Sequence, residues 1–185
     1  APIKRFLATF ADDQQLSLTD IEARWESGLR ERAWRGQIDD ENFWNALAGQ
    51  SVDAAQTRLR LDASYRPGPA APHLADWSGK ARLCLLSNHR SAWLLPRLDA
   101  FVIRSLFEEI WVSDATGHVK PEAAAFDPVF RYMDAGLDVL FVDDQQTETW
   151  KGQLFVQESV RADKNIHRSC CHCGKYLAFL RNCKF

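Results

Sequence analysis

The sequence predicts an α/β protein in which a mostly parallel sheet follows a helical N-terminal region. Apolar residues recur at helical spacing through about the first 60 residues, whereas three short apolar runs further along each end at polar residues. Short apolar runs that alternate with helical stretches are typical of βαβ units, whose parallel strands are buried on both faces. A chain of 185 residues is long enough for one core, or for one core with a small appendage.

Short amphipathic helices are predicted for the N-terminal region. Thr19 and Glu22 form a capping-box pattern at the start of one helix. Asp39 or Asp40 caps a second helix, which ends near Gly49. The large apolar residues at helical spacing are Ile21, Trp25, Leu29, Phe43, Trp44 and Leu47. Aromatic residues with this spacing mostly face a core, so core packing is favoured over ligand stacking.

Three apolar runs predict the strands of the sheet, at residues 81–86, 109–113 and 138–142. A stretch rich in proline and glycine separates the first run from the helical region. Helices are predicted between successive strands, near 93–98 and over 121–133. Ligands in open parallel sheets bind beyond the carboxyl ends of the strands, so the polar residues that follow each run are the candidate site.

Two of these polar segments have chemistry suited to phosphate. Ser87 and Asn88 offer a hydroxyl, an amide and backbone N–H groups, which hold phosphate oxygens without supplying charge. Their alternative role is a helix cap, which the dipeptide alone favours. Lys120 follows Gly117, which permits a tight approach of the backbone, and its ammonium group can neutralise a phosphoryl group. The alternative for a single lysine is a solvated surface position.

A pair of carboxylates follows the third strand directly. Asp143 and Asp144 suit a hard cation such as Mg²⁺, which takes oxygen ligands and keeps several waters. Their alternative role is in a turn or a helix cap. Each of the three signals is weak alone: Ser87-Asn88, Lys120 and Asp143-Asp144. Because each lies at or just beyond a strand end, they reinforce one another as parts of one site.

Taken together, these residues resemble the second, third and fourth motifs of the haloacid dehalogenase-like (HAD) hydrolases. The matching stretches are Ser87-Asn88, residues 117–121 and Asp143-Asp144. The helical region before them resembles the cap that this superfamily inserts between its first and second motifs. The resemblance extends from about residue 10 to residue 146. It implies a Rossmann-like parallel core with a helical cap subdomain.

The resemblance also implies the roles of the site residues. An aspartate nucleophile would form a covalent intermediate, and it would bind Mg²⁺ together with the acidic pair. Ser87 would bind the transferring phosphoryl group, with Asn88 and Gly117 as further substrate-binding residues, and Lys120 would stabilise that group. The paired aspartates point to a magnesium-dependent phosphatase-like member acting on a small phosphorylated metabolite, since a true dehalogenase needs no metal site.

The first motif of the family, an apolar strand ending in Asp-x-Asp, has no clear counterpart here. The acidic pair near the start is Asp12-Asp13, which follows the helically spaced residues Phe6, Leu7 and Phe10. We expect this stretch to form the first helix of the cap region rather than the strand of the nucleophile. The chain as written is therefore predicted to be catalytically inactive or nearly so.

Loss of that strand would leave the core incomplete at its N-terminal side. In this family the strand lies in the middle of the sheet, so two strands would lack a hydrogen-bonded neighbour, which is costly. Either the natural chain begins upstream of Ala1 or another segment fills the gap, and the first is favoured. The domain organisation predicted is a cap region with connectors at 1–72, a core half with three motifs at 73–150, and a divergent tail at 151–185.

The tail differs in composition from the rest of the chain. It holds seven Lys/Arg and two Asp/Glu, a net charge of +5, against −7 for the first 150 residues. It also contains enough nitrogen and sulfur ligands for one tetrahedral zinc, at His167, Cys170, Cys173 and Cys183. Their spacing matches no zinc module, so reduced surface cysteines are favoured.

The leading functional hypothesis is a magnesium-dependent phosphoryl-transfer hydrolase of the HAD type that lacks its nucleophile. A non-catalytic binding or regulatory module on a degenerate HAD fold is the alternative. Nucleic-acid contact by the basic tail ranks third, since aromatic residues interleaved with its basic ones, such as Tyr176, Phe179 and Phe185, are few. No signal-peptide pattern and no apolar run of roughly 20 residues is visible, which predicts a cytoplasmic protein without a membrane partner. The oligomeric state is not indicated.

Overall fold

Helices form most of the chain before the sheet. The computed structural model describes residues 2–68, 70–134, 139–143 and 155–156. The helices in these ranges are α1 (Pro2–Gln14), α2 (Leu18–Arg24), α3 (Arg30–Trp34), α4 (Asp40–Ala48), α5 (Ala54–Ser64), α6 (Leu74–Ser78), α7 (Ser91–Ala100), α8 (Ser113–Thr116) and α9 (Ala123–Asp134). The strands are β1 (Arg82–Ser87), β2 (Phe107–Val112), β3 (Val139–Asp143) and β4 (Phe155–Val156). None of these helices is long and apolar enough to cross a membrane.

Side-chain caps explain where the N-terminal helices start and stop. Asp39 accepts a hydrogen bond from the backbone N–H of Asn42 at 2.8 Å and caps α4, which ends at Gly49 in the left-handed region. The cap of α2 is Ser17, whose hydroxyl accepts from the backbone N–H of Asp20 at 3.4 Å. The prediction of Thr19 as this cap is therefore wrong by two residues, because the serine already satisfies the exposed N–H groups of the first turn.

The predicted helix through Ile21, Trp25 and Leu29 is not continuous. A kinked segment, Trp25–Leu29, joins α2 to α3, and Gly28 within it has φ +97°. Glycine adopts this conformation without the steric cost that a side chain imposes. All three apolar residues are nevertheless buried on one side of the kinked path.

An aromatic cluster forms the core of the helical region. Its aromatic members are Phe6, Phe10, Trp25, Trp34, Phe43, Trp44 and Trp93. Trp44 and Trp93 are fully buried and stack with ring centroids 5.2 Å apart. Because Trp93 belongs to α7, which follows β1, the cluster joins the helical region to the sheet. Burial of such large rings is worth several kcal/mol in total, at about 25 cal/mol for each Å² of apolar surface.

The sheet has the strand order β2-β1-β3-β4. β1 pairs in parallel with β2 and with β3, and β4 pairs antiparallel with β3. The predicted parallel sheet is thus present, although the described residues do not show a full Rossmann-like core. β1 has a hydrogen-bonded neighbour on both edges, so the expected gap beside it is absent: β3 fills it.

A second apolar cluster packs on one face of β1. Leu83 and Leu85 contribute to it from the strand, and Leu94 and Leu98 contribute from α7. Cys84, on the opposite face, is fully buried, and this burial raises the pKa of its thiol to about 11. The thiol therefore stays protonated at neutral pH and behaves as a small apolar side chain.

Candidate functional site

The carboxyl end of β1 carries the first group of predicted site residues. Ser87 is the last residue of the strand and is fully buried, and Asn88 directly after it is 7% exposed. The chain then passes through His89 and Arg90 into α7. The two residues therefore lie at the edge of the sheet where the sequence predicts them, and they are enclosed by other parts of the protein.

Asn88 is held by the segment that contains Lys120. Its side-chain amide donates to the Lys120 carbonyl oxygen at 2.9 Å, and its side-chain oxygen accepts from the Lys120 backbone N–H at 2.7 Å. The helix-cap alternative for Asn88 is thus wrong, because its side chain bonds to a distant backbone segment rather than to the first turn of α7. The contact fixes the Lys120 backbone beside the end of β1.

The side chain of Lys120 extends along the same sheet edge. It is half-buried, and its Nζ donates to the carbonyl oxygen of Leu86 at 2.8 Å. Leu86 directly precedes Ser87, so the ammonium group lies next to the strand end. The solvated-surface alternative for Lys120 does not hold, and the structure brings Ser87, Asn88 and Lys120 together.

Gly117 ends α8 with φ +76°. A Cβ at this position would meet no atom within 4 Å, so the glycine is required by its backbone conformation rather than by a close approach. Its carbonyl oxygen accepts a hydrogen bond from Arg35 at 3.0 Å. The approach of this backbone to a ligand at the site stays a prediction.

Of the two aspartates predicted to bind Mg²⁺, the structure describes the backbone of Asp143 alone. Asp143 ends β3 and is in register with Leu86 of β1, so its backbone lies beside the strand end that carries Ser87. Asp144 lies outside the described residues, as do the zinc-ligand candidates of the tail. Among the side chains that the structure describes, no group of three or more His, Cys, Asp or Glu is arranged to hold a metal ion.

Asp12 is located on α1, where its side chain is exposed. The neighbouring Asp13 forms an ion pair with Arg60 of α5. The expectation that this acidic pair belongs to a helix is confirmed. Both carboxylates belong to the helical region and neither is part of a strand.

Sequence reasoning did not identify Arg35, at the end of α3, as a residue of the site. Its guanidinium donates to Gly117 and, through both Nη atoms, to the carboxylate of Glu122. The second oxygen of Glu122 also accepts from the backbone N–H of Val119 at 3.2 Å. These contacts raise the pKa of Arg35 and lower the pKa of Glu122, in each case chiefly through their shared hydrogen bonds.

Asp40 makes a second connection between the helical region and the sheet. Its carboxylate accepts from the indole N–H of Trp93 at 2.9 Å and lies 3.1 Å from Nε of Arg90 and 3.4 Å from Nη1 of Arg58. The contact of Arg90 Nε with Asp40 is an ion pair without a hydrogen bond. Arg90 also donates to the Ile38 carbonyl oxygen at 2.7 Å and lies over the Trp93 ring.

The loop between β1 and α7 is supported from the end of β2. Ser113 is buried, and its hydroxyl accepts from the backbone N–H of His89 at 3.0 Å. Asp114 accepts from the backbone N–H of Ser91 at 2.7 Å and so caps α7 in place of a local side chain. The conformation of this loop therefore depends on residues that follow the neighbouring strand.

His89 makes the aromatic contact of this loop with the helical region. Its ring stacks on Trp34 with centroids 5.2 Å apart, and its Nε2 lies 2.9 Å from the hydroxyl of Tyr65. Nδ1 accepts from the backbone N–H of Arg90 at 2.9 Å. Both ring nitrogens are therefore engaged in holding the loop.

The comparisons with known proteins give matches by structure. No protein-family model matches the sequence, and no curated protein matches it. The HAD family enzyme BT-2542 from Bacteroides thetaiotaomicron is similar with a TM-score of 0.59 and 19% identity, over 77% of this chain and 75% of that one. Its complex with magnesium and inorganic phosphate matches with a TM-score of 0.55 and 22% identity, over 69% and 71%.

A second similar structure is the putative HAD-hydrolase YfnB from Bacillus subtilis, bound to magnesium. Its TM-score is 0.53 at 22% identity, over 76% of this chain and 71% of that one. At such low sequence identity, the structural similarity shows the fold alone. The resemblance predicted from the three motifs is confirmed at that level: this chain has the fold of the HAD family enzymes.

Proposed function

We propose that this chain carries the phosphate-binding half of a magnesium-dependent phosphoryl-transfer site of the HAD type. The observation that carries the proposal is the pair of hydrogen bonds between Asn88 and Lys120, which fixes a lysine at the carboxyl end of β1. A serine hydroxyl and an ammonium group at one strand end match the charge and the hydrogen-bonding needs of a phosphoryl group. The substrate class is a small phosphorylated metabolite.

Each residue has a distinct role in this proposal. The Ser87 hydroxyl donates to a phosphoryl oxygen, and Lys120 neutralises the negative charge that the group carries. Asn88 acts mainly as a positioning residue, because its side-chain oxygen and its amide are both engaged with the Lys120 backbone. Gly117 contributes by turning the chain into the Lys120 loop.

Mg²⁺ is the cofactor that suits the carboxylates of Asp143, the last residue of β3, and of Asp144, which follows it in the sequence. The aspartates Asp143 and Asp144 would hold it, since carboxylate oxygens at a strand end are ligands that this ion prefers. The bound ion would neutralise charge on the phosphoryl group. Support comes from the similar structures, in which BT-2542 is complexed with magnesium and inorganic phosphate and YfnB is bound to magnesium.

Binding and turnover are proposed to be separable in this polypeptide. The acidic pair, Asp12 and Asp13, lies on the exposed face of α1, so no attacking carboxylate is assigned. We expect inorganic phosphate to bind in the presence of Mg²⁺ in a calorimetric titration, with little or no hydrolysis of a generic phosphomonoester. Binding should weaken by roughly 10- to 100-fold in Lys120→Ala, the loss of one hydrogen bond from a charged donor, and should stay unchanged in Lys80→Ala, an exposed lysine at the other end of β1. Phosphate binding that is equal in both variants would remove the proposal.

A non-catalytic binding or regulatory module is the second candidate. The observation that favours it is the direct pairing of β1 with β3, because β3 then occupies the place beside β1 where the resemblance implies the strand of the nucleophile. This function predicts ligand or partner binding that survives Lys120→Ala. Robust Mg²⁺-dependent hydrolysis by this polypeptide would exclude it.

A further inference from the structure

The Lys120 loop is held from two sides by different parts of the protein. On one side, Asn88 binds the Lys120 backbone from the end of β1. On the other, Arg35 of the helical region binds the carbonyl oxygen of Gly117 and the carboxylate of Glu122. The loop that carries the lysine thus lies between a core contact and a helical-region contact.

Arg35 makes a bidentate and largely buried contact with Glu122, unlike an ordinary surface ion pair. Its guanidinium binds both carboxylate oxygens of Glu122 and, with Nη1, also the Gly117 carbonyl at 3.0 Å. The Arg35 side chain is only 19% exposed, whereas Arg30 in the same helix is 46% exposed and pairs with Glu26 on the surface. A planar guanidinium with two parallel donors fixes direction as well as distance, which a lysine ammonium does not.

Glu122 connects Arg35 to Val119, the residue before Lys120. Its second oxygen accepts from the Val119 backbone N–H at 3.2 Å, so one carboxylate joins Arg35 to the residue next to the lysine. The segment from Gly117 to Glu122 is therefore closed by contacts at both of its ends, with Lys120 inside it. Loss of Arg35 removes the restraint at both ends at once.

We propose that Arg35 is a positioning residue for Lys120, through which the placement of the helical region sets how well the lysine engages phosphate. The inference rests on the proposed phosphate site and adds Arg35, which lies outside all three motif stretches. Arg35 does not touch the phosphate, and it acts by fixing the loop at Gly117 and Glu122. Disruption of such a contact changes the coupling between two parts of a protein by roughly 2- to 30-fold in affinity.

The first test measures how firmly the loop is held when no ligand is present. The Lys120 backbone N–H donates to Asn88, so its hydrogen-exchange rate reports how firmly the loop is held. In Arg35→Gln this rate should rise roughly two- to tenfold, the worth of about one hydrogen bond. In Arg30→Gln, the matched control in the same helix, it should not change. Arg35→Lys, which keeps the charge and loses the fork, should resemble Arg35→Gln. An unchanged rate in both Arg35 variants overturns the inference.

The second test uses inorganic phosphate with Mg²⁺ as the probe. Arg35→Gln should weaken phosphate binding by roughly 2- to 30-fold in the native background and have no further effect in Lys120→Ala, because it acts through the lysine. An additive loss in the double variant overturns the inference, since it indicates a direct or a general effect. If the native chain binds no phosphate, the proposed function fails, and the exchange rates still decide whether Arg35 positions the loop.

Discussion

Asn88 and Lys120 lie 32 residues apart and are joined by two hydrogen bonds, one in each direction. The amide side chain of Asn88 thereby satisfies both backbone polar groups of Lys120, much as a neighbouring strand would. A residue of the sheet edge is thus used to fix the backbone of a loop, which leaves the lysine side chain to reach along the strand end to Leu86.

Replacement of Asn88 should destabilise the protein, because its side chain makes two hydrogen bonds with the Lys120 backbone. Asn88→Ala leaves the N–H and C=O of Lys120 without these partners in a largely enclosed place, which costs about 1–3 kcal/mol. Urea unfolding measures the change. Asn42→Ala is the control, because Asn42 bonds to Asp39 on an exposed surface and should cost less than about 1 kcal/mol. Equal losses in the two variants would show that the Lys120 contact carries no special weight.

Asp40 should stabilise the protein substantially, although its own side chain is partly exposed. Asp40→Asn removes the counter-charge of Arg90, whose side chain is only 10% exposed, and weakens the acceptor for the Trp93 indole. We expect a loss of about 1–3 kcal/mol, reduced from the value for a buried pair because Asp40 itself is partly exposed.

A matched exposed pair gives the control for Asp40. Asp76 pairs with Lys80, and both side chains are about two-thirds exposed. Asp76→Asn should therefore change the free energy of unfolding by less than about 1 kcal/mol in the same urea experiment. If Asp40→Asn behaves in the same way, Arg90 is adequately solvated or neutralised by other groups.

Two glycines with similar backbone angles should respond differently to alanine. Gly117 has φ +76° and open space around a Cβ, so Gly117→Ala should cost only the backbone term of about 1–2 kcal/mol. At Gly36 (φ +68°) a Cβ would lie 2.5 Å from the carbonyl oxygen of Asp114, so Gly36→Ala adds a backbone clash. In thermal unfolding, Gly36→Ala should have a clearly lower melting temperature than Gly117→Ala. The reverse order would contradict the close approach of α3's end to α8.

Local patterns in the sequence were sufficient for the parts of the site that depend on strand ends. The apolar run that stops at Ser87 predicts the strand that the structure has, because a buried strand must stop where polar residues begin. The caps at Asp39 and Gly49 follow from the same kind of local rule. Among these caps, Ser17 was missed in favour of Thr19, since both residue types suit a cap.

Long-range contacts could not be predicted in the same way. Arg35 is 87 residues from Glu122, and in the sequence its visible partner is Glu31, one helical turn away, which suggests an ordinary surface pair. The place of β3 beside β1 was missed for a similar reason, because strand order depends on which surfaces meet in the folded chain. Single-sequence periodicity carries no information about either choice.

The Arg35–Glu122 contact should make part of the stability depend on acid pH. Glu122 has a lowered pKa in the folded protein, chiefly because Arg35 donates to it, so its contribution is complete above its ordinary pKa of 4.5 and is lost as the pH falls through the lower folded value. Urea unfolding should show Glu122→Gln less stable than the native chain at neutral pH. The gap should shrink as the pH falls below about 4.5, because the native carboxylate gains its proton only below its ordinary pKa. Glu26→Gln, in the exposed pair with Arg30, serves as the control and should show a smaller gap at neutral pH. A constant difference between Glu122→Gln and the native chain at all pH values would mean that the carboxylate charge does not stabilise the loop.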